Sequence, residues 1–246
     1  MKFVRLVLLF ILVVFVLPVL LSGALWWIGD NPRSWREANW SSSGVLPRAS
    51  EVTDAVVYVM AARTGGIKGA ISEHSWLVLK DPGESEYERW DVVGWGNPLR
   101  RNGYDADARW YSNTPYILAE AHGEDAERLI PKLRAAIDQY RFSKHGDYRI
   151  FPGPNSNTFV ASVLRDVPEL PVMLSPVAVG RDYPADGELA SFDRDRSELR
   201  ASLFGYAGIV IGPEAGLEIN FLGLVAGINP GDLSIKIPAF GTFSLT

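Results

Sequence analysis

Between Leu6 and Ile28 the chain carries no charged side chain. That run limits what the polypeptide can become more than any other feature. Its about 23 residues, at about 1.5 Å each, make about 34 Å of helix, against about 30 Å of hydrocarbon in a bilayer. Pro18 and Gly23 lie inside it, as membrane helices tolerate. Trp26 and Trp27 close it where indoles sit at headgroup level. Lys2 and Arg5 on the short side keep the N-terminus cytoplasmic and send the rest across. Residues 1–30 therefore read as a single transmembrane anchor. Ser22-Gly23-Ala24 also has the small-x-small pattern of a cleavable signal peptide, and on either reading the remainder is exported.

The chain has no cysteine. Disulfides, thiolate–metal sites and a cysteine nucleophile are excluded, and no cofactor is implied. The formal charge of −5 comes from interspersed acids and bases without a basic stripe, which argues against nucleic acid as a partner. The lipid bilayer, met through the N-terminal helix, is the one partner the composition calls for.

Residues 31–50 mix Pro, Ser, Trp and scattered charge without a period and read as a juxtamembrane linker, with Trp35 and Trp40 on the membrane surface or on the domain. Residues 51–246 read as one extracytoplasmic α+β domain. Strands are predicted over Val52–Met60, Glu73–Lys80, Tyr87–Trp95 and Pro115–Ala121. Gly96–Asn113 reads as a polar loop. An acidic start (Glu124, Asp125, Glu127) opens a helix whose stripe is Leu129, Leu133, Ala136, Ile137 and Tyr140, with Pro131 expected to kink or restart it. The turn Pro152-Gly153-Pro154 and the cluster Asn155-Ser156-Asn157-Thr158 start a second helix. Pro168–Arg200 reads as an insertion and the glycine-punctuated remainder as hairpins. Within these, Gly216–Ile228 is apolar, carries Glu218 and Asn220, and is too short to span. It reads as a buried strand pair or, if exposed, as a membrane-facing or acyl-binding surface.

Three histidines are available: His74, His122 and His145. His74 shares a strand face with Trp76 and Val78. Ser156 at a helix start gains from the positive end of the dipole, and free backbone N–H groups over Ser156 to Thr158 can form an oxyanion hole. A strand histidine can serve as base to that hydroxyl, with Asp91 orienting the ring. The plainer readings are an N-cap for Ser156, a hydrogen-bonded core histidine for His74 and a turn carboxylate for Asp91. His122 reads as a strand end and His145 as a solvated loop.

A histidine strand followed much later by Gly-Pro-Asn-Ser-x-Thr-Phe at a helix start resembles the circularly permuted papain-like hydrolases of the NlpC and lecithin–retinol-acyltransferase types. His74-Ser75-Trp76, Trp90-Asp91 and Phe151–Phe159 resemble an uncharacterised bacterial membrane-anchored family built on a domain of unknown function. The first resemblance covers Val52 to Val167 and the second most of the chain. Together they imply a papain-like permuted antiparallel sheet with packed helices. Members of the second family share an N-terminal membrane helix, and export without disulfides suits a Gram-negative periplasm, so the chain reads as a single-pass protein of the bacterial inner membrane with its C-terminal domain in the periplasm. The implied catalytic set is Ser156, His74 and Asp91, with Asn155, Asn157 and Thr158 contacting a peptidoglycan or lipid substrate. Papain-like enzymes carry cysteine where this chain has Ser156, and a hydroxyl is far harder to deprotonate than a thiol. The expected activity is hydrolysis or transfer of an acyl or amide group. The alternative is a non-catalytic envelope protein that binds peptide, glycan or lipid in the same cleft.

Overall fold

The computed structural model describes residues 1–32 and 34–245. Helix α1 (Lys2–Ile11), a π turn (Leu12–Val16) and α2 (Leu17–Ile28) run on as one helix over Lys2–Ile28. It is long and apolar enough to cross a membrane. The π turn ends two residues before Pro18, which has no N–H to give the preceding turn. The helix also touches the domain. Ser22 Oγ donates to Ala70 O at 2.5 Å, and Phe15 packs edge-on against Phe221 at 5.5 Å. A Cβ on Gly69 would lie 2.2 Å from the Trp26 ring, so that residue must lack a side chain.

The domain is mixed helix and antiparallel sheet. The first sheet has five strands in the order β4-β3-β2-β1-β5. They are β1 (Val56–Arg63), β2 (Glu73–Lys80), β3 (Glu88–Val92), β4 (Leu99–Arg101) and β5 (Tyr116–His122). Helices α3 (Gly123–Asp138) and α4 (Ser156–Asp166) bury one face of it, where Val57, Val59, Leu77 and Leu79 meet Ile130, Leu133, Phe159 and Val163. The opposite face holds Tyr58, Met60, Trp76, Val78 and Trp110, covered in part by Trp40, Val45 and Leu46. Residues 31–50 are therefore not a bare linker. Ser42 and Ser43 also bond Asp107, and Trp40 packs on Tyr104, Trp110 and Tyr111.

Three further expectations are corrected. Gly96–Asn113 contains β4, whose Arg100 pairs with Asp91 in register. Helix α3 continues through Pro131, which sits on the exposed side, where water can bond the carbonyl the proline leaves unpartnered. The supposed insertion Pro168–Arg200 already contains β6 (Ala190–Asp193) and the start of β7 (Glu198–Leu203).

Those two strands open a second sheet, a seven-stranded meander completed by β8 (Ala207–Gly212), β9 (Gly216–Phe221), β10 (Leu224–Asn229), β11 (Ser234–Ile237) and β12 (Gly241–Ser244). Gly216–Ile228 does form a strand pair, but not a buried apolar one: Glu218 and Asn220 point inward while Leu217, Ile219 and Ile228 are exposed. The reason is a charged inner layer. Glu218 receives Arg181 and Lys236, and Asp182 receives Arg200 and Asn220.

Candidate functional site

β2 pairs with β1 along its full length, but with β3 only over Leu77–Leu79. β3 therefore leaves the first residues of β2 with unpaired outer backbone groups. Val177 O accepts from Glu73 N, and the side chain of Asn157 fills the rest. Its Oδ1 accepts from Ser75 N at 3.1 Å and Ser75 Oγ at 2.8 Å, and its Nδ2 donates to Glu73 O and Val179 O, each at 2.9 Å. Asn155 is equally occupied. Nδ2 donates to Ile150 O and Val179 O, and Oδ1 accepts from Asn157 N at 2.9 Å and Thr158 N at 3.1 Å. An amide has two donors and two acceptor lone pairs, so both side chains are saturated. Thr158 Oγ1 donates to Gly180 O.

These bonds revise the sequence reading of this segment. The N-cap is Asn155, not Ser156. Asn155 and Asn157 hold the fold and have no side-chain capacity left for a substrate, and Thr158, whose hydroxyl bonds Gly180 O, is buried and does not line the cavity. An oxyanion hole spread over Ser156 to Thr158 does not form, because Asn155 already takes two of those N–H groups. Among the described residues the Ser156 N–H is the one left over at the helix start.

The helix start thus lies in the notch that β3 vacates, level with His74. Strand alternation puts His74 on the face away from the helix bodies, yet His74 and Ser156 line one cavity of about 860 Å³. Among the described residues the Ser156 hydroxyl has no hydrogen-bond partner, and no bond joins it to His74. The imidazole is held on its other sides. Nε2 lies 3.3 Å from Asp91 Oδ2, and the ring stacks on Trp110 at 3.7 Å with a 7° tilt. Asp91 in turn receives Arg89 Nη2 at 2.9 Å, and Arg89 lies over the Trp76 ring at 4.2 Å.

Burial pushes the His74 imidazole below its ordinary pKa, and Asp91 only partly opposes this. The ring is neutral near pH 7, as a general base must be. Burial acts to raise the Asp91 carboxyl, but Arg89 and His74 outweigh it and hold the group below the usual carboxylate range. A buried carboxylate facing a neutral imidazole fixes which nitrogen carries the proton: Nε2–H points at Asp91 and leaves Nδ1 as the basic atom.

Arg89 and Trp110 are members of the site that the sequence reading passed over. Arg89 had a signal, since residues two apart on a strand share a face and it stands two before Asp91. Trp110 had none, being brought in by the Trp110–Asn113 turn. His122 ends β5 beside Glu120, His145 lies on an exposed loop, and neither lines the cavity. Among the described residues no group of three or more His, Asp or Glu could hold a metal ion. The cavity is lined by the aromatic residues Trp95, Trp110, Tyr111, Tyr148 and Phe151 and by the aliphatic Val19, Leu222 and Leu224, with Lys68 and Glu73 also in its wall.

Residues 54–183 match a family described as a protein of unknown function, DUF3750. That stretch contains His74, Arg89, Asp91, Trp110 and Ser156, and it ends before the second sheet begins. No curated protein and no solved structure matches the chain.

Proposed function

The chain belongs to the DUF3750 family of proteins of unknown function, and we propose that its cleft hydrolyses or transfers an acyl or amide group with Ser156 as nucleophile. One observation carries the reading: an unbonded hydroxyl and a neutral, carboxylate-anchored imidazole share a single cavity. His74 Nδ1 takes the Ser156 proton as Oγ bonds the carbonyl carbon. The oxyanion collects at the Ser156 N–H, assisted by the dipole of α4. The imidazolium then gives its proton to the leaving group, and water or a second acceptor releases the acyl enzyme with His74 again as base. The order of histidine strand before nucleophile helix agrees with permuted papain-like hydrolases. Reading the N-terminal helix as a membrane anchor with Lys2 and Arg5 on the cytoplasmic side supports a periplasmic location for the domain. Val19, Leu222 and Leu224 in the wall favour an acyl chain over a peptidoglycan peptide.

A fluorophosphonate probe on the full chain in detergent tests this. Labelling is expected on the native protein, lost in Ser156→Ala and reduced at least about 100-fold in rate in His74→Gln. The missing Ser156–His74 bond favours a second reading, a non-catalytic cleft for the same acyl ligands. Equal silence of native protein and both variants selects that one.

A further inference from the structure

The second sheet is apolar outside, and its inner side holds Glu218, Asn220 and Lys236 beside Val210 and Val225. Its register aligns Leu199, Ile211, Leu217, Ile228, Ile235 and Phe243 in one row across six strands, each at least 39 % exposed. A parallel row joins Ala201, Ile209 and Ile219, and a third joins Leu203, Ala207, Phe221 and Leu224. None of these residues is charged. The residues between them, Glu218, Asn220, Ser234 and Lys236, are buried. A sheet with one solvated face carries the opposite alternation, and seven strands at about 4.8 Å make this face about 30 Å wide. A surface of that kind needs an apolar medium against it.

The helix identifies the medium. It is apolar on all sides and almost none of it is covered by the domain. Counting from Arg5, about 20 residues cross about 30 Å of hydrocarbon, which puts the far boundary near Leu25 and Phe15 about 15 Å inside. Phe15 packs on Phe221 of β9. If the helix spans, the Phe221 end of the sheet enters the hydrocarbon with it. A second copy seated on the sheet would leave the adjoining helix uncovered, whereas one bilayer covers both. The open edges at β6 and β12 limit the depth, since unpaired backbone is not tolerated in hydrocarbon.

We infer that the outward face of the seven-stranded sheet is a lipid-contacting surface, lying against the bilayer beside the helix with its Phe221 end deepest. This rests on the helix lying in the membrane and is independent of catalysis at Ser156.

The absence of cysteine makes single-site labelling of the full chain direct. Nitroxides are placed at Leu203→Cys, Ile219→Cys, Leu217→Cys, Leu9→Cys and exposed Glu84→Cys, with the protein in phosphatidylethanolamine–phosphatidylglycerol vesicles. The measurement is accessibility to oxygen relative to a water-soluble nickel chelate. Oxygen accessibility is expected to exceed that of nickel severalfold at the three sheet positions, falling from Leu203 through Ile219 to Leu217, with the reverse at Glu84. Nickel access at the sheet equal to that at Glu84, with Leu9 in lipid, overturns the inference and leaves the anchor standing. Nickel access at Leu9 as well removes the anchor on which the inference rests. Shielding of the sheet from both reagents, with dipolar broadening between labels, means a second copy covers the face and also overturns it.

Discussion

The amide of Asn157 makes four hydrogen bonds, to both polar groups of Ser75 and to the carbonyls of Glu73 and Val179, so one side chain ties β2 and a distant loop to the start of α4. Asn157→Ala removes all four bonds. It leaves the Ser75 N–H and hydroxyl without a partner at about 1–3 kcal/mol each, while Glu73 O keeps Ser72 Oγ and Val179 O keeps Asn155 Nδ2. We expect a loss of about 3 kcal/mol in denaturant unfolding, whereas Ser156→Ala, which removes no internal bond, should fall within about 0.5 kcal/mol of the native chain. His74 gives a pH signature. Its folded pKa lies below the unfolded value of about 6.5, so the unfolded chain binds the extra proton first. Stability from this group is full above about pH 6.5 and is lost as pH falls from there toward the folded value. His74→Gln should flatten that part of the pH–stability curve; an unchanged slope would mean that the buried ring titrates normally. At this scale His74, Asp91 and Ser156 were legible as residue types in a plausible order. The roles of Asn155 and Asn157 were not, because a capping amide and a substrate-binding amide look alike until their partners are known.

Local pattern worked where an element's environment follows from its own sequence. Glu73–Lys80 is a strand over the expected span, and Ser156 opens a helix whose apolar residues form its buried body. It failed at Pro131, because whether a proline interrupts a helix depends on which side faces water. Pro131→Ala restores an N–H to the carbonyl one turn back, and it should stabilise the protein by about 1–2 kcal/mol once the freer unfolded chain is counted. Thermal unfolding checks this, and a lower Tm would show that the proline is needed for packing. Alternation also failed in the second sheet. A period of two marks which residues share a face but carries no sign, so β9 read as a buried apolar strand when its polar residues are the buried ones.

Across the whole molecule the segment after α4 is joined to the second sheet by charge. Arg181 donates to Glu218 and Leu174 O, Lys236 lies 2.5 Å from Glu218, and Asp182 bonds Arg200 and Asn220. Arg181 and Asp182 fall inside the family segment, and the side chains they bond in the second sheet, Glu218, Arg200 and Asn220, fall outside it. Glu218→Leu leaves buried Lys236 without a carboxylate and Arg181 with only the more distant Asp182, and we expect a loss of about 3–5 kcal/mol with the second sheet released first to limited proteolysis. Uniform resistance to protease would show that the sheets unfold as one unit. The amino-acid sequence alone determined the apolar N-terminal helix, the mixed α and antiparallel β character, the lack of thiol chemistry and the strand and helix that bear His74 and Ser156, because length, composition and short-range periodicity suffice for these. Tertiary structure alone decided that β3 leaves β2 early enough for the α4 start to enter the notch. It also decided that Arg89 and Trp110 fix the imidazole, and that a charged layer turns the apolar side of the second sheet outward. Each depends on pairings between distant segments, and a linear pattern cannot say which of two equivalent faces meets the protein.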